Sequence, residues 1–365
     1  MKRFVIFLSI FFLGLFSANA QSYSGGSGTY SDPYKMATAA DLIDLSNNSS
    51  DWNKYFIQTA DIAFNSDETQ VDWDGDGSAT WDTEDQKGFK PIGNITIKFT
   101  GEYNGDGHVI DYLYASFSSD EGGLFGYTTK STIKNLGVTN AEISSSNNEI
   151  GILVGFHYDA SSIQNCYTTG SVNGNEEVGG LVGENIYKSA ISNSYSMASV
   201  TGTSSVGGLA GKNNGTNTFF FNCFTAGSVN GANEVGGLVG IQSSGATTTN
   251  SFWDITTSGQ SSSAGGTGKT TTEMKDFDTF TDETTTGLAI AWDFVTNPND
   301  DTGNNDYWDM DQYETVNNGY PILSWQVGAD NSLTPFSGGD GTSGNPYQIS
   351  TTADLINLSK ASMVL

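Results

Sequence analysis

The stretch Asp72-Trp-Asp74-Gly-Asp76-Gly77-Ser78 sets carboxylates at alternate positions ahead of a glycine. That order fills positions 1, 3, 5 and 6 of a calcium-binding loop, where short acidic side chains on a tight turn converge on a hard dication. Asp72, Asp74 and Asp76 are the candidate metal ligands, and calcium is the one cofactor the sequence points to. The twelfth position, which wants a bidentate Glu, is Thr83 with Asp82 and Glu84 beside it. No flanking helix is evident, so a solvated acidic turn stays open as the other reading.

Other chemistries lack their parts. Zinc peptidase work needs two imidazoles and a carboxylate base on one helical face, as in His-Glu-x-x-His. This chain has two histidines, His108 and His157, 49 residues apart and each in a strand-like setting, which makes them ordinary strand residues. Proton abstraction beside a uronate calls for a basic group and a cation to neutralise the acid, yet no arginine follows Arg3. Glycoside hydrolysis needs two carboxylates; among 41 acidic residues no pair recurs in a recognisable setting. Gly265-Gly-Thr-Gly-Lys-Thr-Thr271 has Ser263 where a phosphate loop needs its first glycine, and reads as a surface loop. No catalytic residue is assigned.

The elements that would position any site come from repetition. One phrase returns as Gly122-Gly-Leu-Phe-Gly126, Gly151-Ile-Leu-Val-Gly155, Gly179-Gly-Leu-Val-Gly183, Gly207-Gly-Leu-Ala-Gly211 and Gly236-Gly-Leu-Val-Gly240, in steps of 29, 28, 28 and 29 residues. Such a period marks a solenoid, propeller or array, and propeller blades usually need about 40 residues or more. Leu124, Leu153, Leu181, Leu209 and Leu238 make one apolar column, and Val172, Val200 and Val229 another, as stacked strands require. The composition is rich in Gly, Ser, Thr and Asn, without a helical apolar stripe. The fold expected is all-β: a right-handed parallel β-solenoid, or β-helix, of units of about 28 residues, with a short N-terminal helix and cap. The glycine pairs serve either positive φ or close backbone approach. A second phrase, begun by Asn135, Asn165, Asn193, Asn222 and Asn250, keeps the same beat, with its asparagines either in an amide ladder or in turns. Cys166 and Cys223 share one column two units apart, with Ser194 between them. Their Cα atoms would lie about 9 to 10 Å apart, beyond disulfide reach, so two buried free thiols are expected.

In chain order, residues 1–20 have the layout of a secretory signal peptide, with Lys2 and Arg3 ahead of an apolar run and Ala18-Asn-Ala20 at the cleavage point. Residues 21–98 are an N-terminal lead segment and cap, in which Thr38 is set to cap a helix presenting Leu42 and Leu45. Residues 99–260 carry the solenoid. Residues 261–328, with Trp292, Trp308, Tyr320 and Trp325, form a closing segment for its open end. The phrases Ser24-Gly-Gly-Ser-Gly-Thr29 and Thr38-Ala-Ala-Asp-Leu-Ile-Asp-Leu-Ser46 return 313 residues on, as Ser337-Gly-Gly-Asp-Gly-Thr342 and Thr351-Thr-Ala-Asp-Leu-Ile-Asn-Leu-Ser359. Residues 337–365 therefore read as the start of a second, truncated module or as a cap that reuses the same phrases. The formal charge of −27 repels phosphate backbones and anionic headgroups, which argues against nucleic acid and bare membrane as partners. Beyond the signal segment no apolar stretch is long enough to span a bilayer, so no membrane insertion is expected.

These phrases resemble those of bacterial surface proteins with the GLUG motif. Phe89-Lys-Pro-Ile-Gly93, Asn104-Gly-Asp-Gly-His-Val-Ile110, Ser251-Phe-Trp-Asp254 and Gly319-Tyr-Pro-Ile-Leu323 extend the likeness over most of residues 24–325. The resemblance implies a secreted or cell-surface adhesin or structural scaffold without catalysis, with a glycan or extracellular protein as ligand. It also implies the alternative of an accessory β-helix domain in a larger secreted enzyme, polysaccharide-active or a metallopeptidase.

Overall fold

The computed structural model describes residues 23–65, 71–73, 87–295, 306–311 and 316–326, with isolated positions between 344 and 350. The signal segment, Asp74, Asp76 and nearly all of 337–365 lie outside the described residues.

Each unit winds once through three parallel sheets. A corner sheet stacks Ile150–Gly151, Glu176–Gly179, Ser204–Gly207 and Asn233–Gly236. A front sheet stacks Phe125–Thr129, Val154–Tyr158, Val182–Ile186, Ala210–Asn214 and Val239–Gln242. The rest of each coil joins a 17-stranded sheet. Neighbouring coils pair in register, Val178 with Val206 and Val182 with Ala210. The parallel β-solenoid expected from the repeats is thereby the observed fold.

The glycines of the repeated phrase act through close approach. The corner turns between Gly179 and Val182, so Val178, Leu181 and Val182 all point inward with no exposure. A Cβ at Gly179 would stand 2.0 Å from the Val182 carbonyl oxygen, and one at Gly183 would stand 2.4 Å from the Glu149 carbonyl carbon. No side chain fits at either distance. Positive φ falls instead one or two residues ahead of the phrase, at Glu121, Glu149, Glu177, Ser205 and Glu234.

Asparagines hold the other corner, and both readings of them apply. Asn135, Asn165, Asn193, Asn222 and Asn250 all adopt left-handed φ, a region that Asn tolerates better than most side chains. Their amides also stack: Asn135 Nδ2 donates to Asn104 Oδ1 at 3.1 Å and Asn165 Nδ2 to Asn135 Oδ1 at 3.0 Å.

The Leu and Val columns are buried. Cys166 and Cys223 are free and buried, with Ser194 Oγ accepting from the Cys166 amide between them. At the N-terminal end the helix Ala39–Asn47 starts at Thr38, whose hydroxyl accepts from the Asp41 amide while Asp41 accepts from Thr38 N. Leu42, Ile43 and Leu45 pack into the same core as Phe56. Residues 262–269 lie on the last coil, where Thr267–Lys269 pairs with Phe252–Asp254.

The described residues between 271 and 326 run along the flank of the stack. On the outer face of the large sheet Tyr167, Tyr195 and Phe224 stack at centroid distances of 5.0 and 4.7 Å. Trp292, Trp308, Tyr320 and Trp325 cover them. Trp325 Nε1 donates to the Asn165 carbonyl, and the Tyr320 hydroxyl to Asp254 Oδ2 at 2.7 Å. Aromatics this large are satisfied by a flank as well as by an end, because a coil's outward apolar row also needs cover.

Candidate ligand-binding face

Of the three expected calcium ligands only Asp72 is described. It is half-buried beside Trp73, which is packed against Phe64 at 4.7 Å. Asp72 borders a cavity of about 420 Å³ that Asp44 and Asn65 also line. Among the described residues no three His, Cys, Asp or Glu side chains converge as metal ligands. His108 Nδ1 lies 3.1 Å from Asp61 on the surface, whereas His157 is fully buried, 2.8 Å from the Thr128 hydroxyl. Burial pushes the His157 imidazole down to about 3, so it is neutral. It belongs to an inner polar column, Thr128, His157, Asn185, Asn213 and Gln242, that continues from coil to coil.

The residues with most chemistry on offer are ones that the sequence does not single out. They sit where the corner meets the front sheet. Glu121, Glu149 and Glu177 occupy successive left-handed corners, one coil apart. Each corner lies over a glycine of the front sheet, Glu121 over Gly155, Glu149 over Gly183 and Glu177 over Gly211. That contact sets Glu149 beside Glu184, and Glu177 beside Lys212. Lys212 Nζ is 3.5 Å from Glu177 Oε1 and 3.3 Å from Glu184 Oε1, while Asn214 Nδ2 donates to Glu184 at 3.1 Å.

Burial raises the Glu149 carboxyl to about 7, reinforced by Glu121, Glu184 and Glu177. Burial also raises Glu121 and Glu177, opposed by Lys98 at the first and Lys212 at the second. The charges that act most on Glu149, those of Glu121, Glu184, Glu177 and Asp120, are all negative.

Aromatic rings share this face. Tyr127 and Phe156 are 4.8 Å apart, Phe156 and Tyr158 6.1 Å, and Tyr158 stacks with Tyr187 at 5.9 Å. Lys98 Nζ stands 5.3 Å above the Tyr127 ring, and Lys188 5.1 Å above Tyr187. Rings beside carboxylates can stack on flat apolar surfaces, accept from hydroxyls and attract cations. The signal was present as an acidic residue repeating at 121, 149, 177 and 234 just ahead of the glycines, but carboxylates on a strongly acidic chain read as solvated.

Among the described residues no helix is long and apolar enough to cross a membrane. Residues 174–201 match the family model of the GLUG motif. Halomucin of Haloquadratum walsbyi is 37% identical over 153 residues, which is 41% of this chain and 2% of that protein. A Bacteroides ovatus chain whose crystal structure is provisionally described as an immunoglobulin A1 protease aligns with a TM-score of 0.57 at 24% identity, over 83% of this chain and 95% of its own. At that identity the likeness speaks for the fold alone. The matched motif and the observed stack agree: residues 174–201 carry a GLUG motif, and they form one coil of a parallel β-solenoid.

Proposed function

We propose that this chain is part of an exported repeat protein that works at the cell surface as an adhesin or structural scaffold, binding a glycan or extracellular protein without chemistry of its own. The observation that carries this reading is the front sheet, whose outward side chains line up one per coil and offer Tyr127, Phe156 and Tyr158 next to the corner carboxylates. A surface built this way grows with coil number, as an extended binding face does. The strongly acidic composition fits an exterior that keeps chains apart and repels phosphate. Calcium held by Asp72, Asp74 and Asp76 belongs to the same proposal.

The second reading, an accessory domain of a larger secreted enzyme, draws support from the description of the Bacteroides ovatus neighbour as a protease. Incubation of the chain with a panel of polysaccharides and with immunoglobulin A separates the two. Retention without products supports the scaffold. Release of fragments overturns it in favour of an enzyme.

A further inference from the structure

The coils place unlike residues at equivalent positions of the front sheet, and the difference points to a ligand. Tyr127, Phe156, Glu184, Lys212 and Ile241 follow one another across five paired strands. Lys212 carries its ammonium between the corner carboxylate Glu177 and the strand carboxylate Glu184. One coil earlier the corner is Glu149 and the lysine's place is taken by Glu184. One coil earlier again the corner is Glu121 and the place is taken by Phe156. Three corner carboxylates therefore stand in a row, and the lysine reaches the last. At the far end Lys98 lies over Tyr127. The middle of the row is left with Glu149 among carboxylates and with the rings of Phe156, Tyr158 and Tyr187 at its side.

We propose that this face binds a glycan bearing ammonium groups, an amino-sugar polymer laid along the strand Val154–Tyr158 and so across the stack, with an ammonium between Glu121 and Glu149 and its sugar rings against Phe156 and Tyr158. The assignment rests on the binding-scaffold reading above and names the ligand for it. Lys212 shows the contact that the ammonium would reproduce one coil along. Lys98 and Lys188 show that rings of this strip accept cations. A neutral glycan would cover Glu149 without compensating its charge, and a uronate would add to the repulsion. A basic peptide has the charge but not the fit. Peptides add to sheets at unpaired edges, and the strands under this face, Val154–Tyr158 and Val182–Ile186, are paired on both sides.

The test is calorimetric titration of the full chain with a glucosamine hexamer, its N-acetylated counterpart, an oligogalacturonate and oligolysine. The glucosamine hexamer is expected to bind at least tenfold more tightly than the acetylated one, and the uronate not at all. Glu149→Gln is expected to lower glucosamine affinity about tenfold, the size of one charge-assisted contact, and Tyr158→Ala to weaken both sugars. Melting curves of the variants check that they fold. Equal affinity for both hexamers, or an unaltered Glu149→Gln, overturns the assignment. So does oligolysine binding that matches glucosamine and ignores Tyr158→Ala, which marks a peptide site. Failure of every oligosaccharide to bind removes this ligand while leaving the scaffold reading standing. Shortened products would instead remove the non-catalytic reading.

Discussion

Asn222 donates its side-chain amide to Asn193 Oδ1 at 3.3 Å across 29 residues of chain, and both hold left-handed backbone, at φ of 51° and 45°. One residue type thus supplies a turn and a rung-to-rung bond together. Asn222→Ala loses both and is expected to cost about 2 to 3 kcal/mol. Asn222→Gly keeps the backbone and loses only the ladder, costing about 1 kcal/mol less. Urea melts of the two variants check the order; equal losses would mean that φ is unimportant there.

Gly183→Ala brings a methyl group to 2.4 Å from the Glu149 carbonyl carbon, in backbone that belongs to the preceding coil. The coils have to separate to admit it, and a loss of about 3 kcal/mol or more is expected. Thermal unfolding reads this directly, and an unchanged midpoint would contradict the corner packing.

Two groups, His157 fully buried and Glu149 half-buried, give opposite slopes with pH. His157 takes up a proton at about 6.5 when unfolded and at about 3 when folded. Its contribution is full above pH 6.5 and is lost as pH falls toward 3, by a few kcal/mol. Glu149 is raised from 4.5 to about 7 on folding, so its contribution is present below pH 4.5 and lost as pH rises through 7. Glu149→Gln should therefore raise stability more at pH 8 than at pH 5, by about 1 to 2 kcal/mol after discounting for solvent. Chemical denaturation of wild type and variant at both pH values tests the sign.

Burial pushes both thiols up to about 12, in the absence of any partner sulfur. Cys166 and Cys223 should resist alkylation in the folded chain and react together once it unfolds. Mass spectrometry after iodoacetamide treatment, with and without urea, decides this.

If Asp72, Asp74 and Asp76 hold calcium, adding the ion should raise the melting midpoint by several degrees, as ligand linkage requires. Asp74→Asn should abolish that rise and leave the midpoint in chelator unchanged. Identical melting of wild type with calcium and with chelator would remove the site.

The solenoid was legible because its determinants are local and repeated. Leu181, Leu209 and Leu238 return at one interval and are buried in one column, and Thr38 caps the helix that its own neighbours form. The thiols were legible by the same arithmetic. Glu149 was not, since its character comes from burial and from Glu121 and Glu184, all of which arise only after the coils stack. Nor was the inner column of Thr128, His157, Asn185 and Asn213, because polar residues amid glycine and serine look like turns until a stack gives each amide its counterpart. The flank escaped for a third reason. Trp325 meets Asn165 across 160 residues, and no periodicity encodes a contact that occurs once.

That flank alters how the stack would behave under tension. Coils that touch only their neighbours can be peeled away one at a time, each giving way at low force. Here Trp325 is joined to the coil of Asn165, Gln326 to the coil of Tyr195, and both Tyr320 and Trp292 to the coil that holds Asp254 and Asn250. A pull that frees one of these coils must first strip a strap fastened to the others. The banded stretch would then yield as one block, in a single large step in a force trace where an unbanded stack would show a ramp of small ones.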